Sequence, residues 1–141
     1  MSKQKIKPRP APFRKSEPEP KEEFSISWKY ITEDNNYRLS RFKNDTGEYK
    51  SFTVSFVKLM ENLSHQTWVG LLLLGKKQGG VETLPESDLK HARARDYDGE
   101  IRNYISIRFG SKDAYRMIGF KEGNVFYITG FDLDFSAYDH S

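Results

Sequence analysis

Residues 101–131, IRNYISIRFGSKDAYRMIGFKEGNVFYITGF, decide how this chain folds. From Ile101 to Phe109 the side chains alternate, with Ile105, Ile107 and Phe109 on one face and Tyr104, Ser106 and Arg108 on the other. That is the period of a strand. Gly110-Ser111-Lys112-Asp113 punctuates it as a turn. Ala114–Phe120 predicts a second strand. Lys121-Glu122-Gly123-Asn124 predicts a hairpin turn, where Gly123 or Asn124 takes a positive φ. Val125–Phe131, rich in β-branched and aromatic residues, predicts the third strand. The stretch reads as a three-stranded antiparallel meander.

Upstream, Phe24 to Tyr30 also alternates, with Phe24, Ile26, Trp28 and Tyr30 on one face, and predicts an N-terminal strand. Thr32–Gly47 is polar and turn-rich, a loop with a short extended piece at Tyr37–Phe42. Phe52, Phe56, Leu59, Met60 and Leu63 recur at helical spacing and predict a helix from Lys50 to Leu63. Ser64 then serves as N-cap for a second, nearly all-apolar helix through Leu74, closed by Gly75. After the break at Gly79-Gly80, Val81–Pro85 reads as extended and Ser87–Arg95 as a helical stretch capped by Ser87. The expected class is α+β, with an N-terminal strand and two helices packed on one face of a small antiparallel sheet that ends in the meander.

Residues 24–141 suffice for one domain. Residues 1–23 are of another kind. They hold five of the six prolines and almost no large apolar side chains. Such a segment cannot offset an ordering cost of about 1–2 kcal/mol per residue, so it reads as a disordered, basic, proline-rich tail. The tail carries seven basic and four acidic groups, which accounts for the chain's formal excess of +3. Residues 24–141 are formally neutral, with sixteen groups of each sign. The tail reads either as a solubilising leader or as an arm that touches phosphate or a partner groove, and only its basic first half, with Lys5, Lys7 and Arg9, suits a contact with nucleic acid.

The absence of cysteine excludes a disulfide framework, a thiolate metal site and a cysteine nucleophile. The run Trp68–Leu74 is too short to span a bilayer, and no secretory signal opens the chain, so a cytoplasmic protein without membrane association is expected. The histidines His65, His91 and His140 lack metal-ligand spacing, and no metal is called for. Asp132 and Asp134 share one face but read as acid closing a strand. Gly79-Gly80 lacks the lysine and serine of a phosphate loop, so no cofactor is called for either. His91, within Lys90-His91-Ala92-Arg93-Ala94-Arg95, is a candidate general base on an otherwise solvated face.

The order of elements, together with Phe109-Gly110, Tyr115-Arg116-Met117-Ile118, Val125-Phe126-Tyr127-Ile128 and Tyr138, resembles the RelE/ParE toxin superfamily. The last segment also resembles small uncharacterised proteins of bacterial mobile elements. The toxin resemblance implies one of two activities. One is metal-independent cleavage of RNA on the ribosome, by positioning a 2′-hydroxyl against its phosphate and stabilising the growing charge. The other is inhibitory binding of a cellular target, with an antitoxin as further partner. For cleavage, the resemblance assigns Arg116 to the family's strand arginine, projecting outward, and Tyr138 to its C-terminal aromatic. Arg93, Arg95 and Arg108 would add cationic surface for RNA. A second reading comes from the neutral domain and from the lack of a compact catalytic cluster: a non-enzymatic phage or mobile-element adaptor acting through protein–protein contacts.

Overall fold

The computed structural model describes residues 25–42, 46–72 and 80–139. The tail, the candidate contacts Lys5, Lys7 and Arg9, the expected helix end at residues 73–75 and Gly79 all lie outside the described residues.

The described residues form an α+β fold around one five-stranded sheet, ordered β1 (Ser25–Ser27), β5 (Val125–Asp132), β4 (Tyr115–Glu122), β3 (Asn103–Phe109), β2 (Val81–Pro85). β3, β4 and β5 make the antiparallel meander, in the register Ile107↔Met117 and Met117↔Phe131. Gly123, at φ 64°, turns the β4–β5 hairpin, as glycine does without steric cost. At the register shift after Ile118, a Cβ on Gly119 would come within 2.1 Å of the Tyr127 carbonyl oxygen, so only glycine fits that bulge. The extended piece at Val81–Pro85 joins the meander as β2, antiparallel to β3.

Four expectations need correction. First, the sheet is mixed, because β1 runs parallel to β5, with Ile26 beside Phe126. The long excursion between these strands supplies the crossover that parallel pairing needs. Second, β1, which opens at the first described residue, already ends at Ser27. A turn carries Ile31 N–H to the Trp28 carbonyl. Trp28 then rests on Phe56 and Phe131, while Tyr30 swings to the opposite face of the sheet, against Phe120 and Tyr127. Third, Tyr37–Phe42 is helical rather than extended. Two 3-10 turns, Asn35–Tyr37 and Leu39–Phe42, bury Tyr37 and Phe42, and the Asp34 carboxylate accepts from Asn36 N–H to start the first.

The fourth correction concerns the helices. α1 spans Thr46–Leu63, a turn earlier than expected, and the second helix, α2, described over Trp68–Leu72, starts at Trp68 rather than directly after Ser64. Ser64 does not cap α2. Its hydroxyl donates back to the Glu61 carbonyl and closes α1. Thr67 Oγ1 accepts from Gly70 N–H and opens α2 instead. Ser87–Arg95 is not a helix beyond a 3-10 turn at Glu86–Asp88. Its backbone donors go elsewhere: Lys90 and His91 N–H both bond to the Ala137 carbonyl, and Ala92 sits at φ 67°.

Each face of the sheet is covered differently. α1 lays Phe52, Leu59 and Leu63 on Ile105, Ile107, Phe109, Met117 and Phe131, forming one apolar cluster. On the other face, Leu84, Tyr104, Ile118 and Phe120 are covered by irregular chain, the 86–97 strap and the 133–138 hook, which meet at the bridge between Leu89 and Tyr138.

Candidate functional site

The strap-covered face carries the polar residues that sequence singled out. Strand pairing sets them in rows. Arg108 stands opposite Arg116, and Arg116 opposite Asp132. In the next row Glu82 stands opposite Ser106. Side chains paired this way share a face, so two arginines, two carboxylates and a serine converge at one end of the sheet.

Arg116 does not project outward. It is 7% exposed. Its Nη1 donates to the Asp113 carbonyl at 2.5 Å and reaches the Tyr115 carbonyl at 3.4 Å, while the guanidinium lies 4.9 Å from the centre of the Phe135 ring. The β3–β4 turn is shaped to present that carbonyl. Lys112 and Asp113 are successive left-handed residues, at φ 57° and 54°. Such a conformation costs about 1–2 kcal/mol per non-glycine residue. Arg116 thus clamps its own turn.

Tyr138 is 4% exposed. Its hydroxyl lies 3.1 Å from Glu82 Oε1 and 2.9 Å from Ser106 Oγ. One phenolic proton serves only one acceptor, and the carboxylate has none to give. Tyr138 therefore donates to Glu82, and the Ser106 hydroxyl donates to Tyr138. Burial, reinforced by the Glu82 carboxylate, pushes the Tyr138 phenol above its usual value, while the Ser106 hydrogen bond and the Arg116 charge oppose the rise. Asp132 is fully enclosed and holds the hook: its oxygens accept from Asp134, Ser136 and Ala137 N–H at 3.3, 3.0 and 3.1 Å. The Ser136 hydroxyl donates in turn to Asp134, which lowers the pKa of that carboxyl.

The remaining candidates lie on the strap or at the sheet's end. His91 stacks on Tyr37 and stands 3.8 Å from Asp34, so its contacts include neither Arg116 nor Tyr138. Arg93 lies 3.8 Å from Glu86 and donates to the Leu89 carbonyl. Arg95 lies 3.1 Å from Glu33 and 3.3 Å from Asp96. Arg108 is half-buried, and its Nε has no hydrogen-bond partner among the described residues. The structure thus brings Arg108, Arg116 and Tyr138 to one end of one face, leaves His91 with other contacts, and matches both strap arginines with acid. A cavity of about 600 Å³ between α1 and β3, lined by Lys58, Leu59, Leu63, Leu71, Ile107 and Arg108 among others, includes neither Arg116, Tyr138 nor His91. Among the described residues no group of three or more His, Asp or Glu could hold a metal ion. No helix there is long and apolar enough to cross a membrane.

Sequence reasoning missed Glu82 and Ser106, which are remote from Tyr138 along the chain. It also passed over the outward face of α1. There Val54 and Val57 are 51% and 49% exposed, among Lys50, Lys58 and Glu61, which are also exposed. The available signal was two valines three residues apart on an otherwise polar helix face. No protein-family model, curated protein or solved structure matches this chain.

Proposed function

We propose that the domain is a non-enzymatic binding module that acts through protein–protein contacts made by the outer face of α1. The observation that carries this reading is the half-exposed pair Val54 and Val57 at the centre of the longest helix. Branched apolar side chains held in water on a rigid helix are the raw material of a docking face. The RNA-cleaving branch of the toxin resemblance asks Arg116 and Tyr138 to meet a substrate. Their enclosure and their internal hydrogen bonds favour the partner-binding branch instead.

The test is a photo-crosslinking amino acid placed at Val57 and, as control, at the exposed Lys112 in the β3–β4 turn. The expected result is an adduct of defined mass from position 57 only. Equal, diffuse labelling from both positions overturns the reading. So does RNA cleavage in bacteria that express the chain, if Arg116→Ala abolishes it while the domain stays folded.

A further inference from the structure

α1 carries two stripes of the same spacing. Phe52, Phe56, Leu59 and Leu63 face the sheet, at steps of four, three and four residues. Lys50, Val54, Val57 and Glu61 repeat those steps two positions earlier in the chain, so they lie on the opposite side, and all four are exposed. Alternating steps of three and four make the seam along which two helices pack with a shallow crossing. Nothing among the described residues covers this second seam.

The order of residues along it is self-complementary. With a second α1 laid antiparallel, and a two-fold axis midway between positions 55 and 56, Val54 meets Val57 of the other copy. Lys50 meets Glu61 of the other copy, and each pairing occurs twice by symmetry. An isologous contact requires this property, in which position i meets j and j meets i. A parallel arrangement would set lysine against lysine and glutamate against glutamate. The seam also answers the charge balance of the domain, because it pairs unlike charges without a basic or acidic partner surface.

We infer that the partner of the outer α1 face is a second copy of this chain, docked antiparallel through Lys50, Val54, Val57 and Glu61. This rests on the reading of α1 as a docking face. The seam covers about three helical turns. That places the interface at the small end of specific contacts, so the dimer is weak and concentration-dependent.

Sedimentation equilibrium of the full chain, from about 1 μM to about 500 μM, spans the range of such contacts. Wild type is expected to pass from monomer to dimer. Val57→Asp, at an exposed position, should remain monomeric throughout with an unchanged circular dichroism spectrum. Val54→Lys should do the same, and serves if the first variant unfolds. Lys50→Glu and Glu61→Lys each set like charges together at two symmetric points and should weaken the dimer roughly fivefold. Combined, they should restore it to within about twofold. A wild type that stays monomeric, a dimer indifferent to both valine changes, or a double swap that fails to rescue overturns the inference. A monomer that still gives a discrete crosslinked adduct at position 57 with a different protein removes self-association and leaves the docking face. A monomer without any such adduct removes both.

Discussion

The two faces of the sheet do the same job with different chemistry. The face under α1 is sealed by hydrocarbon: Phe52 alone touches the rings of Phe42, Phe56, Phe109, Tyr115 and Phe131. The face under the strap and hook is sealed partly by hydrogen bonds, with Asp132 holding the hook and Tyr138 tied to Glu82 and Ser106. A helix satisfies its own backbone and needs only apolar contact. Irregular chain does not, so its covering of a sheet must bring partners for its own N–H groups. Asp132 is such a partner, accepting three N–H groups of the hook, while Tyr138 anchors the hook to Glu82 and Ser106 and Arg116 bonds to the Asp113 carbonyl of its own turn.

The two faces should therefore break differently. Phe52→Ala is expected to have the largest effect. It removes a nearly fully buried ring whose neighbours belong to four elements besides its own helix, and should cost about 3–5 kcal/mol in urea unfolding. The loss should be global, with every probe of structure shifting together. A loss below about 1 kcal/mol would mean that the helix-covered face is not where cohesion lies.

Asp132→Asn comes next, at about 2 kcal/mol. The amide keeps one acceptor oxygen but turns an NH₂ toward a backbone donor at Ser136 or Ala137. The damage should be local. Hydrogen exchange should speed up first in the 133–138 hook and at Lys90 and His91, whose N–H groups bond to the Ala137 carbonyl, while β3 and β4 keep their protection. Uniform loss of protection would erase the contrast between the two coverings.

The same contrast explains what could be read from the sequence. The meander was legible, because strand alternation and a glycine turn are local signals, and Ile105, Ile107 and Phe109 do face α1. β2 was legible as extended chain. The parallel partner of β1 was not, because Ser25–Ser27 pairs with residues a hundred positions away and nothing local encodes that choice. The strap was misread as helix because Leu89, Ala92 and Arg93 suit one. The hydrogen bonds to Ala137 that overrule the propensity are tertiary. Arg116 was read through the resemblance, as a strand arginine projecting outward. Its alternation with Met117 set it on the strap-covered face, but the hook that encloses it follows Asp132 and carries no strong pattern. Tyr138 likewise looked like a terminal aromatic, and its anchors, Glu82 and Ser106, lie on two other strands.

Tyr138→Phe tests the polar face at one atom. Removing the hydroxyl leaves Glu82 and the enclosed Ser106 one partner short, which should cost about 1 kcal/mol at neutral pH. A pH signature accompanies it. Burial raises the phenol pKa of Tyr138, Tyr104 and Tyr37 above the usual value of 10.0. A raised phenol favours the folded state while it stays protonated. Its contribution is therefore full below about pH 10 and is lost as the pH climbs past it. Wild-type stability should fall above that point, and the gap between wild type and Tyr138→Phe should narrow there, as read by denaturant midpoints from pH 7 to 11. A gap that widens with alkali would contradict the buried, protonated phenol.

The smallest effect belongs to His91, and it decides whether the strap's outer surface matters at all. His91 stacks on Tyr37 with ring centres 5.1 Å apart and planes 11° apart, and its Nδ1 stands 3.8 Å from Asp34 across exposed surface. Its backbone is tied down independently, by the N–H bond to Ala137. Truncation to alanine leaves that bond intact and removes only a solvent-facing stack and a screened contact. His91→Ala should therefore cost less than about 0.5 kcal/mol. It should also leave hydrogen exchange in the hook unchanged, in contrast to Asp132→Asn. A loss of 2 kcal/mol or more would mean that the strap is held from its outer side, through Tyr37 and Asp34, rather than from beneath through Asp132 and Tyr138.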